Sequence, residues 1–423
     1  MSLILKNGRL FDPSIGLDRI GDVVIEGDRI QDLGPEIAVN GPGVLDCAGM
    51  IVAPGFIDLH VHLREPGFEY KETIESGTRA AAAGGFTAVC AMPNTRPVND
   101  NAGATAYLVQ RARELGHARV YPIGAITEGS QGERMAGLGA MREAGAVGFS
   151  DDGRPVMNAQ MLRRALEYAS MFSMPVIEHA EDLHLSAGGS MHAGAVALRL
   201  GLRGISAASE STLVARDLLL AEESGARIHI AHLSTAASVR LVREAKARGV
   251  RATAEVTPHH FTLCDEDMAP YDANFKMNPP LRGVADREAV IAGLADGTID
   301  TIATDHAPHA AHEKQQEFDR APFGIIGLET ALPLSLKLVE RGQIALARMV
   351  DALSCAPARI FHLPGGALAP GAVADITVFD PNAAWTYDPA LGQSKSRNTP
   401  FTGWDLRGRA RHTIVGGRLV FSL

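Results

Sequence analysis

Two hydrophobic patterns divide the chain. Between residues 54 and 364, short apolar runs of strand type alternate with Ala-, Leu-, Arg- and Glu-rich stretches whose apolar positions recur at the helical period. The runs predict eight strands, at 56–62, 87–92, 119–126, 146–150, 175–179, 227–232, 251–256 and 301–304. The stretches between them predict helices at 71–83, 102–115, 159–171, 210–224, 236–248 and 287–295, followed by closing helices at 329–339 and 344–353.

Eight strands that alternate with helices are the pattern of a (β/α)8 barrel. A doubly wound open sheet is the alternative arrangement. The barrel is favoured because polar, chemically useful side chains recur where most of the predicted strands end, and the active sites of such barrels lie on that rim. We therefore expect one α/β barrel domain over residues 54–364.

The two ends of the chain carry a β-type pattern instead. Residues 1–53 contain the runs 4–10 and 22–30, with a hairpin turn at 26–28 and no helix of useful length. Runs of strand type return at 374–379, 411–415 and 418–421. Because a β segment as short as the first cannot bury a face alone, we expect residues 1–53 and 365–423 to build one composite β-sandwich domain beside the barrel.

Composition and charge narrow the class of protein. The 423 residues are 46% hydrophobic, which is enough for a sizeable core. The formal net charge of −9 argues against nucleic acid or an anionic membrane surface as the main partner. No run approaches the roughly 20 apolar residues of a membrane span, and the first residues are too poor in apolar side chains for a signal peptide. Four widely spaced cysteines suit free thiols in a reducing cytosol, so we expect a cytoplasmic protein.

The first predicted barrel strand carries the clearest chemical signal. His60 and His62 stand two positions apart, and since side chains of an extended segment alternate, both imidazoles point to the same side. Such a pair suits zinc or a similar divalent ion. Asp58 has the same parity and is a candidate to steady or supplement the pair. The alternative is an ordinary strand with two polar residues near a turn.

Further residues of ligand type follow the other predicted strands. They are Asn94 after strand two, Asp151 and Asp152 after strand four, Glu178, His179 and Glu181 at strand five, His229 and His232 at strand six, His259 and His260 after strand seven, and Asp305, His306 and His309 after strand eight. Each of these residues alone is more often a satisfied polar group or a cap than a ligand. His or Asp at five strand ends of one barrel is much less likely to arise by chance than a single such residue. The set therefore favours a metal site on the rim.

The motifs around these residues resemble a known family. His-x-His after strand one, His after strands five and six, and Asp after strand eight are similar to the amidohydrolase superfamily of metal-dependent hydrolases. The segments HVHLREPG (60–67), MPNT (92–95), FSDDG (149–153), IAHLST (230–235), ATDHAPH (303–309) and APFGIIGLET (321–330) further resemble the long-chain (type I) dihydroorotases. The resemblance covers essentially the whole chain, with the motifs in the expected order.

The resemblance implies two zinc ions per subunit. His60, His62 and Asp305 would bind one ion, His179 and His232 would bind the second, and Asp152 would bridge them. Many superfamily relatives, including hydantoinases, dihydropyrimidinases and allantoinases, use a carboxylated lysine as this bridge. The fourth strand here ends in two aspartates with no lysine nearby, which favours the dihydroorotase branch. Strand parity leaves the choice between Asp151 and Asp152 open; the family motif selects Asp152.

The implied activity is the reversible closure of N-carbamoyl-aspartate to dihydroorotate in pyrimidine biosynthesis, with Asp305 as both ligand and general base. The planar fork of Arg64 suits the substrate carboxylate better than a lysine would; a surface salt bridge to Glu65 or Glu69 is the alternative for this arginine. The resemblance implies a set of substrate-binding residues that comprises His62, Arg64, Asn94, Asn278, His309, Phe323 and Gly324. For Asn94 and Asn278, ordinary loop positions beside prolines are the alternative.

Several questions stay open at this level. The polar segment 310–322 is either a mobile lid over the ring or an exposed loop. His229 shares parity with Ala231, so we expect it to face the helices, and we expect His259, His260, His306 and His312 to be structural or supporting. The competing functions are another cyclic amidase and, less favoured, a non-catalytic barrel that scaffolds aspartate transcarbamoylase. We expect a homodimer, with an aspartate transcarbamoylase as a possible partner.

Overall fold

The chain begins with five strands. In this computed structural model, which describes residues 2–35, 37 and 43–423, they are β1 (Ser2–Asp12), β2 (Leu17–Glu26), β3 (Arg29–Gly34), β4 (Val44–Asp46) and β5 (Ile51–Pro54). The part of the predicted terminal β segment that falls on residues 1, 36 and 38–42 lies outside the described residues. β2 pairs antiparallel with β3 across a turn in which Gly27 has φ 61°, a backbone conformation that glycine adopts without strain.

A barrel of eight parallel strands follows. Its strands are β6 (Phe56–Val61), β7 (Phe86–Ala91), β8 (Arg119–Gly124), β9 (Gly148–Phe149), β10 (Val176–Glu178), β13 (Ile228–Ile230), β14 (Ala252–Val256) and β15 (Thr301–Ile302), while β11 (Met191–His192) and β12 (Gly204–Ile205) form a separate pair. Each barrel strand pairs with the next one along the chain. The last joins the first where His62 N donates to His306 O over 2.9 Å. The predicted (β/α)8 barrel is confirmed.

Fourteen α-helices are found in the described residues. They are α1 (Ile74–Ala83), α2 (Ala102–Leu115), α3 (Leu138–Ala144), α4 (Ala159–Ser170), α5 (Leu183–Ser186), α6 (Ala195–Leu200), α7 (Ala208–Ser224), α8 (Ala236–Ala247), α9 (Pro258–Thr262), α10 (Val284–Asp296), α11 (Ala311–Lys314), α12 (Ala331–Glu340), α13 (Leu346–Val350) and α14 (Ala356–Phe361). The predicted helices are present with ends shifted by a few residues. α1 begins after the predicted residue 71 because Thr73 Oγ1 accepts a hydrogen bond from Ser76 N and caps the helix there.

Both faces of the barrel strands are buried, which is why the strands read as nearly continuous apolar runs. Small and branched side chains fill the interior, among them Ile57, Leu59, Ala88, Ile123, Ile177 and Ala303. Val61 and Val89 belong to a second apolar cluster that includes residues of the surrounding helices. In the same cluster, Phe56 packs against Phe86 and against Phe379 from the C-terminal part of the chain. This packed interior supports the strand ends on which the polar residues lie. No helix in the described part of the chain has the length and apolar character needed to cross a membrane.

The two ends of the chain share one sheet. Its C-terminal strands are β16 (Ile376–Thr386), β17 (Asp405–Val415) and β18 (Arg418–Ser422), and the strand order is β18-β17-β16-β5-β1-β2-β3 with β4 beside β1. β16 pairs antiparallel with β5, so the first and last parts of the chain are hydrogen-bonded to each other. The division into a sandwich domain of residues 1–53 and 365–423 and a barrel domain of residues 54–364 stays a prediction.

Candidate metal centre and active site

The six predicted metal ligands meet at the carboxyl ends of the barrel strands. His60 lies in β6, His62, His179 and His232 follow β6, β10 and β13 by one or two residues, and Asp152 and Asp305 follow β9 and β15 by three. All six side chains are buried. Parallel strands of a barrel end on one rim, which brings residues from five separate stretches of sequence into a single cluster.

The imidazoles form two neighbouring groups. His62 Nε2 lies 2.9 Å from Asp305 Oδ1, and His60 Nε2 lies 3.5 Å from the same oxygen. On the other side of the cluster, His179 Nδ1 lies 2.9 Å from His232 Nε2. The first group contains the residues predicted for one ion and the second group those predicted for the other.

Asp152 stands between the two groups. Its Oδ1 lies 3.3 Å from His60 Nε2, 3.7 Å from His179 Nδ1 and 3.8 Å from His232 Nε2. Its Oδ2 lies 3.5 Å from His62 Nε2. One carboxylate therefore faces histidines of both groups, which is the position a bridging ligand needs.

Two other aspartates near the cluster turn to the backbone instead. Asp151 Oδ1 accepts a hydrogen bond of 3.0 Å from Thr127 N, so of the two adjacent aspartates it is Asp152 that enters the cluster. Asp58 Oδ1 accepts bonds from His60 N (3.0 Å) and Thr304 N (3.1 Å). Asp58 thus supports the first strand end through its backbone.

The donor set fits a divalent metal. Among the described residues, the buried atoms His60 Nε2 and Asp152 Oδ1 have no hydrogen-bond partner. An unpaired buried polar atom costs about 1–3 kcal/mol, so a bound cation at this point relieves both. Ligand atoms of His60, His62 and Asp152, and likewise of Asp152, His179 and His232, lie within 4.8 Å of one another. Imidazole nitrogens and carboxylate oxygens are the ligands that zinc and similar ions accept.

The pKa values of the cluster agree with a cation site. Burial lowers the pKa of His60, but the carboxylates of Asp152, Asp305 and Glu255 outweigh it and raise the value well above its usual range. Burial raises the pKa values of the two aspartates, but the charge of His60 and its neighbours holds that of Asp152 well below its usual range and that of Asp305 at about 2. Both carboxylates are therefore ionised at neutral pH, as metal ligands must be.

In three of the histidines, the ring nitrogen that faces away from the other ligand atoms contacts a polar side chain. Glu181 Oε2 lies 3.1 Å from His179 Nε2 and also accepts a 2.9 Å bond from Asn278 Nδ2. Asn94 Oδ1 lies 2.9 Å from His62 Nδ1. Contacts of this kind fix the tautomer and orientation of metal-binding histidines. Asn94 and Asn278, which we predicted to contact substrate, thus also support the histidines.

The third such contact comes from Glu255, a residue that the sequence analysis missed. Glu255 Oε1 lies 2.7 Å from His60 Nδ1, and Oε2 lies 3.1 Å from His229 Nε2. The prediction that His229 faces the helices is wrong. Its shared parity with Ala231 was the right observation, but Ala231 lines the barrel interior, and so does His229. A carboxylate within the apolar run of β14 was the available signal for Glu255.

Three predicted site residues have a left-handed backbone. Arg64, His232 and Asp305 have φ values of 62°, 31° and 45°. This region is costly for residues other than glycine, at about 1–3 kcal/mol each, and such residues cluster at functional sites. The backbone strain therefore marks the same rim as the polar side chains do.

A cavity of about 210 Å³ opens above the cluster. Its lining includes every predicted substrate-binding residue, namely His62, Arg64, Asn94, Asn278, His309, Phe323 and Gly324. It also includes five of the six predicted ligands, the exception being His60. The cavity is therefore the place where a small molecule could reach both the cluster and Arg64.

Arg64 provides a cation in this cavity. Within the described part of the chain the only hydrogen bond of its side chain runs from Nε to Pro308 O over 3.2 Å, so its two terminal nitrogens can donate to a ligand. Glu65 pairs with Arg111 at 3.1 Å, and Glu69 accepts a bond from a backbone N–H. Among the residues that the structure describes, Arg64 therefore forms neither of the surface salt bridges considered for it. Burial lowers the pKa of Arg64 to about 10, and the side chain stays charged at neutral pH.

The opposite wall of the cavity is built from two loops. His309 Nε2 lies 2.8 Å from Phe323 O. Gly324 has φ 148°, and a Cβ at that position would lie 2.7 Å from Ala307 O, so only glycine fits. Burial and the charge of Arg64 hold the pKa of His309 well below its usual range, so its imidazole is neutral and Nε2 donates to the carbonyl.

The polar segment 310–322 has buried anchors. It begins with α11, whose last residue, Lys314, is buried and donates from Nζ to Pro322 O (2.9 Å) and Gly324 O (3.0 Å). Phe318 is buried as well, whereas residues 315–317 are exposed. The segment is therefore more than an exposed loop, and its motion as a lid stays a prediction.

Comparisons with known proteins agree with this site. A family model described as dihydro-orotase-like matches residues 49–238. A dihydroorotase of Solibacter usitatus is 56% identical over 423 residues, covering 100% of this chain and 98% of the relative. A dihydroorotase of Pelotomaculum thermopropionicum is 57% identical over 421 residues, covering 99% and 98%.

The chain belongs to the dihydroorotase family. It is an enzyme of the cyclic amide hydrolase class. Similar solved structures include an L-hydantoinase (dihydropyrimidinase) from Arthrobacter aurescens, with a TM-score of 0.89 and 24% identity over 99% of this chain and 96% of that one. A D-hydantoinase (dihydropyrimidinase) from a Thermus species has a TM-score of 0.82 and 26% identity over 99% and 95%. These structures share the barrel with its small β domain.

Proposed function

We propose that the protein is a zinc-dependent dihydroorotase that interconverts N-carbamoyl-L-aspartate and L-dihydroorotate in pyrimidine biosynthesis. The observation that carries the proposal is the presence, in one cavity, of a buried His/Asp cluster and the charged fork of Arg64, which bonds protein only through Nε among the described residues. A cyclic amide that bears a carboxylate matches both features. The name shared by the similar proteins supports the same substrate.

We propose two zinc ions per chain. His60, His62 and Asp305 would bind one ion, His179 and His232 the other, and Asp152 both. A divalent cation held by these residues supplies a Lewis acid that polarises an amide carbonyl and lowers the pKa of water from 15.7 to about 7.

Asp305 is the proposed general base in the ring-opening direction. Its pKa of about 2 keeps it ionised at neutral pH, and since Oδ1 faces His60 and His62, the second oxygen is free to accept a proton. Water adds its oxygen to the carbonyl carbon, the ring C–N bond breaks, and Asp305 transfers the proton from the water to the departing nitrogen. The reverse sequence of proton transfers closes the ring.

The remaining residues of the cavity would bind and orient the substrate. The two terminal nitrogens of Arg64 would donate to the substrate carboxylate, with Asn94 and His309 beside it. Asn278 and the backbone of Phe323 and Gly324 would contact the ring. A ring held in this way keeps its scissile amide over the cluster.

A substrate comparison tests the proposal. Purified protein supplied with zinc should interconvert carbamoyl-aspartate and dihydroorotate and should act on dihydrouracil and hydantoin far more slowly. Ring opening of dihydrouracil or hydantoin without reaction of dihydroorotate would instead identify another cyclic amidase. A protein that purifies without metal and leaves all three rings intact would be the non-catalytic transcarbamoylase scaffold.

We also make proposals about the assembly and the location of the protein. We propose a homodimer, with an aspartate transcarbamoylase as a possible partner, on the basis of the family resemblance. Sedimentation of the protein alone and in mixture with a transcarbamoylase tests both. A cytoplasmic location is supported by four buried cysteines that all carry free thiols.

A further inference from the structure

The segment that connects β16 to β17 returns to the rim of the barrel. Within it, Asn398 is only 3% exposed. Its Oδ1 accepts a 3.0 Å bond from His309 N, and its Nδ2 donates to Ala307 O (2.9 Å) and Gly324 O (3.0 Å). A single amide from the C-terminal part of the chain thus joins the two loops that form one wall of the cavity.

The connecting segment is itself fixed to the barrel. Ser394 Oγ donates to Glu72 Oε2 over 2.5 Å, and Ser396 Oγ donates to Lys71 O over 2.7 Å. The backbone of Asn398 also accepts a 3.0 Å bond from Ile326 N. Because the backbone of Asn398 is held in this way, its side-chain amide bonds both loops from a fixed position.

The chemistry at this position requires an amide. The Oδ1 acceptor faces a backbone N–H, and the two hydrogens of Nδ2 face backbone carbonyls. A carboxylate at this position would place a negative charge against those carbonyls and would have no proton to donate to them. Gly324 O accepts a second bond from Lys314 Nζ at 3.0 Å. The peptide after Gly324 is therefore held from two directions. Asn398 adds a side-chain link to the loop of His309, beside the direct contact of His309 Nε2 with Phe323 O (2.8 Å) and the bond from Ala307 N to Ile325 O (3.0 Å).

We propose that Asn398 is a positioning residue that sets the separation between the loop of His309 and the loop of Phe323 and Gly324. Through that separation it determines how tightly the cavity binds a cyclic amide that bears a carboxylate. The inference rests on the proposed function of the cavity. Asn398 acts on the substrate only through the backbone of the residues it holds.

The test uses Asn398→Ala and Asn398→Asp in the full-length, zinc-loaded protein. Asn398→Ala removes all three side-chain bonds and Asn398→Asp removes the two donated ones. Either variant should therefore raise KM for dihydroorotate roughly tenfold or more, with kcat changed less than about threefold and metal content unchanged. Asn382→Ala is the matched control, because the exposed side chain of this β16 asparagine bonds only Arg407 in the described structure. The KM of this variant should equal that of the wild type.

A double-mutant cycle separates positioning from general destabilisation. If Asn398 acts through His309 and Gly324, then Asn398→Ala should raise KM much less in a His309→Ala background than in the wild type. An unchanged KM in a folded Asn398 variant, or a full additional effect in the His309→Ala background, overturns the inference. If Asn398→Ala does not fold, Asn398→Ser is judged by the same criteria. An inactive wild-type protein would instead overturn the proposed function and this inference with it.

Discussion

Glu255 Oε1 lies 2.7 Å from His60 Nδ1, on the side of the imidazole opposite the other ligand atoms. The contact orients the ring so that Nε2 points at Asp152 and Asp305. Glu255 is fully buried, and the charges of His60 and His229 hold its pKa far below the usual range despite burial. An ionised carboxylate therefore lies directly behind the first proposed ligand.

We expect Glu255→Gln to weaken metal binding about 10–100-fold, the range found for such supporting contacts. The amide keeps the shape but loses the charge that orients the imidazole. Competition with a chromogenic zinc chelator measures the affinity, and Glu223→Gln, at an exposed glutamate paired with Arg163, is the control. Equal zinc affinity in Glu255→Gln and the control would show that Glu255 does not support the site.

Asp305→Asn should lower kcat about 10²–10⁴-fold, the contribution typical of a positioned acid or base. The amide cannot accept the proton that the carboxylate accepts, whereas its shape still fits the rim. Steady-state kinetics at saturating zinc give kcat, and thermal unfolding reports on the fold, with the exposed Asp319→Asn as the control. Turnover within a few-fold of wild type would remove Asp305 from the proton transfer.

Arg64→Lys should raise KM for dihydroorotate about 10–100-fold, because a fork that donates two charge-assisted bonds is replaced by a single ammonium group. The change should be small for dihydrouracil, which lacks the carboxylate. Comparison of kcat/KM for the two substrates in wild type and variant measures the difference. An equal loss of kcat/KM on both substrates would mean that Arg64 shapes the cavity and does not bind the carboxylate.

Lys314 should make stability depend on pH. Burial, together with the nearby charge of Lys276, lowers its pKa from 10.5 to about 7, while Asp272 and Glu313 oppose the shift. Between these two pH values the unfolded chain binds a proton that the folded protein does not, so the free energy of unfolding should rise with pH over that window. The contribution is at most about 1.4 kcal/mol per pH unit.

Urea unfolding at several pH values between 7 and 10 tests this dependence in the wild type, in Lys314→Met and in the exposed Lys395→Met. The slope with pH should be smaller in Lys314→Met than in the other two proteins. Parallel slopes in all three would show that Lys314 keeps its ordinary pKa in the folded state.

Much of the barrel follows from local sequence. Burial on both faces makes each parallel strand an apolar run, and the amphipathic stretches between the runs form the helices. The period of the apolar positions therefore indicates the fold. His60 and His62 were recognisable as candidate metal ligands because side chains two residues apart on a strand point to the same side. The terminal sheet was also visible, although its strand order needs contacts between the two chain ends.

Other features depend on directions that sequence parity leaves open. Parity correctly grouped His229 with Ala231 but could not say whether that face points into the barrel or towards the helices. The same ambiguity applied to Asp151 and Asp152. The bond from Thr127 N to Asp151 and the contacts of Asp152 with histidines of both groups distinguish them. Asn398 carries no local signal, because its partners lie far away along the chain.

We propose that six His and Asp side chains from distant parts of the sequence bind two cations at one rim of the barrel. Anomalous diffraction at the zinc edge from crystals of the zinc-loaded protein tests it most directly. We expect one peak about 2.0–2.2 Å from ligand atoms of His60, His62 and Asp305, a second at that distance from His179 and His232, and Asp152 in contact with both. The absence of any peak within bonding distance of these histidines would contradict it.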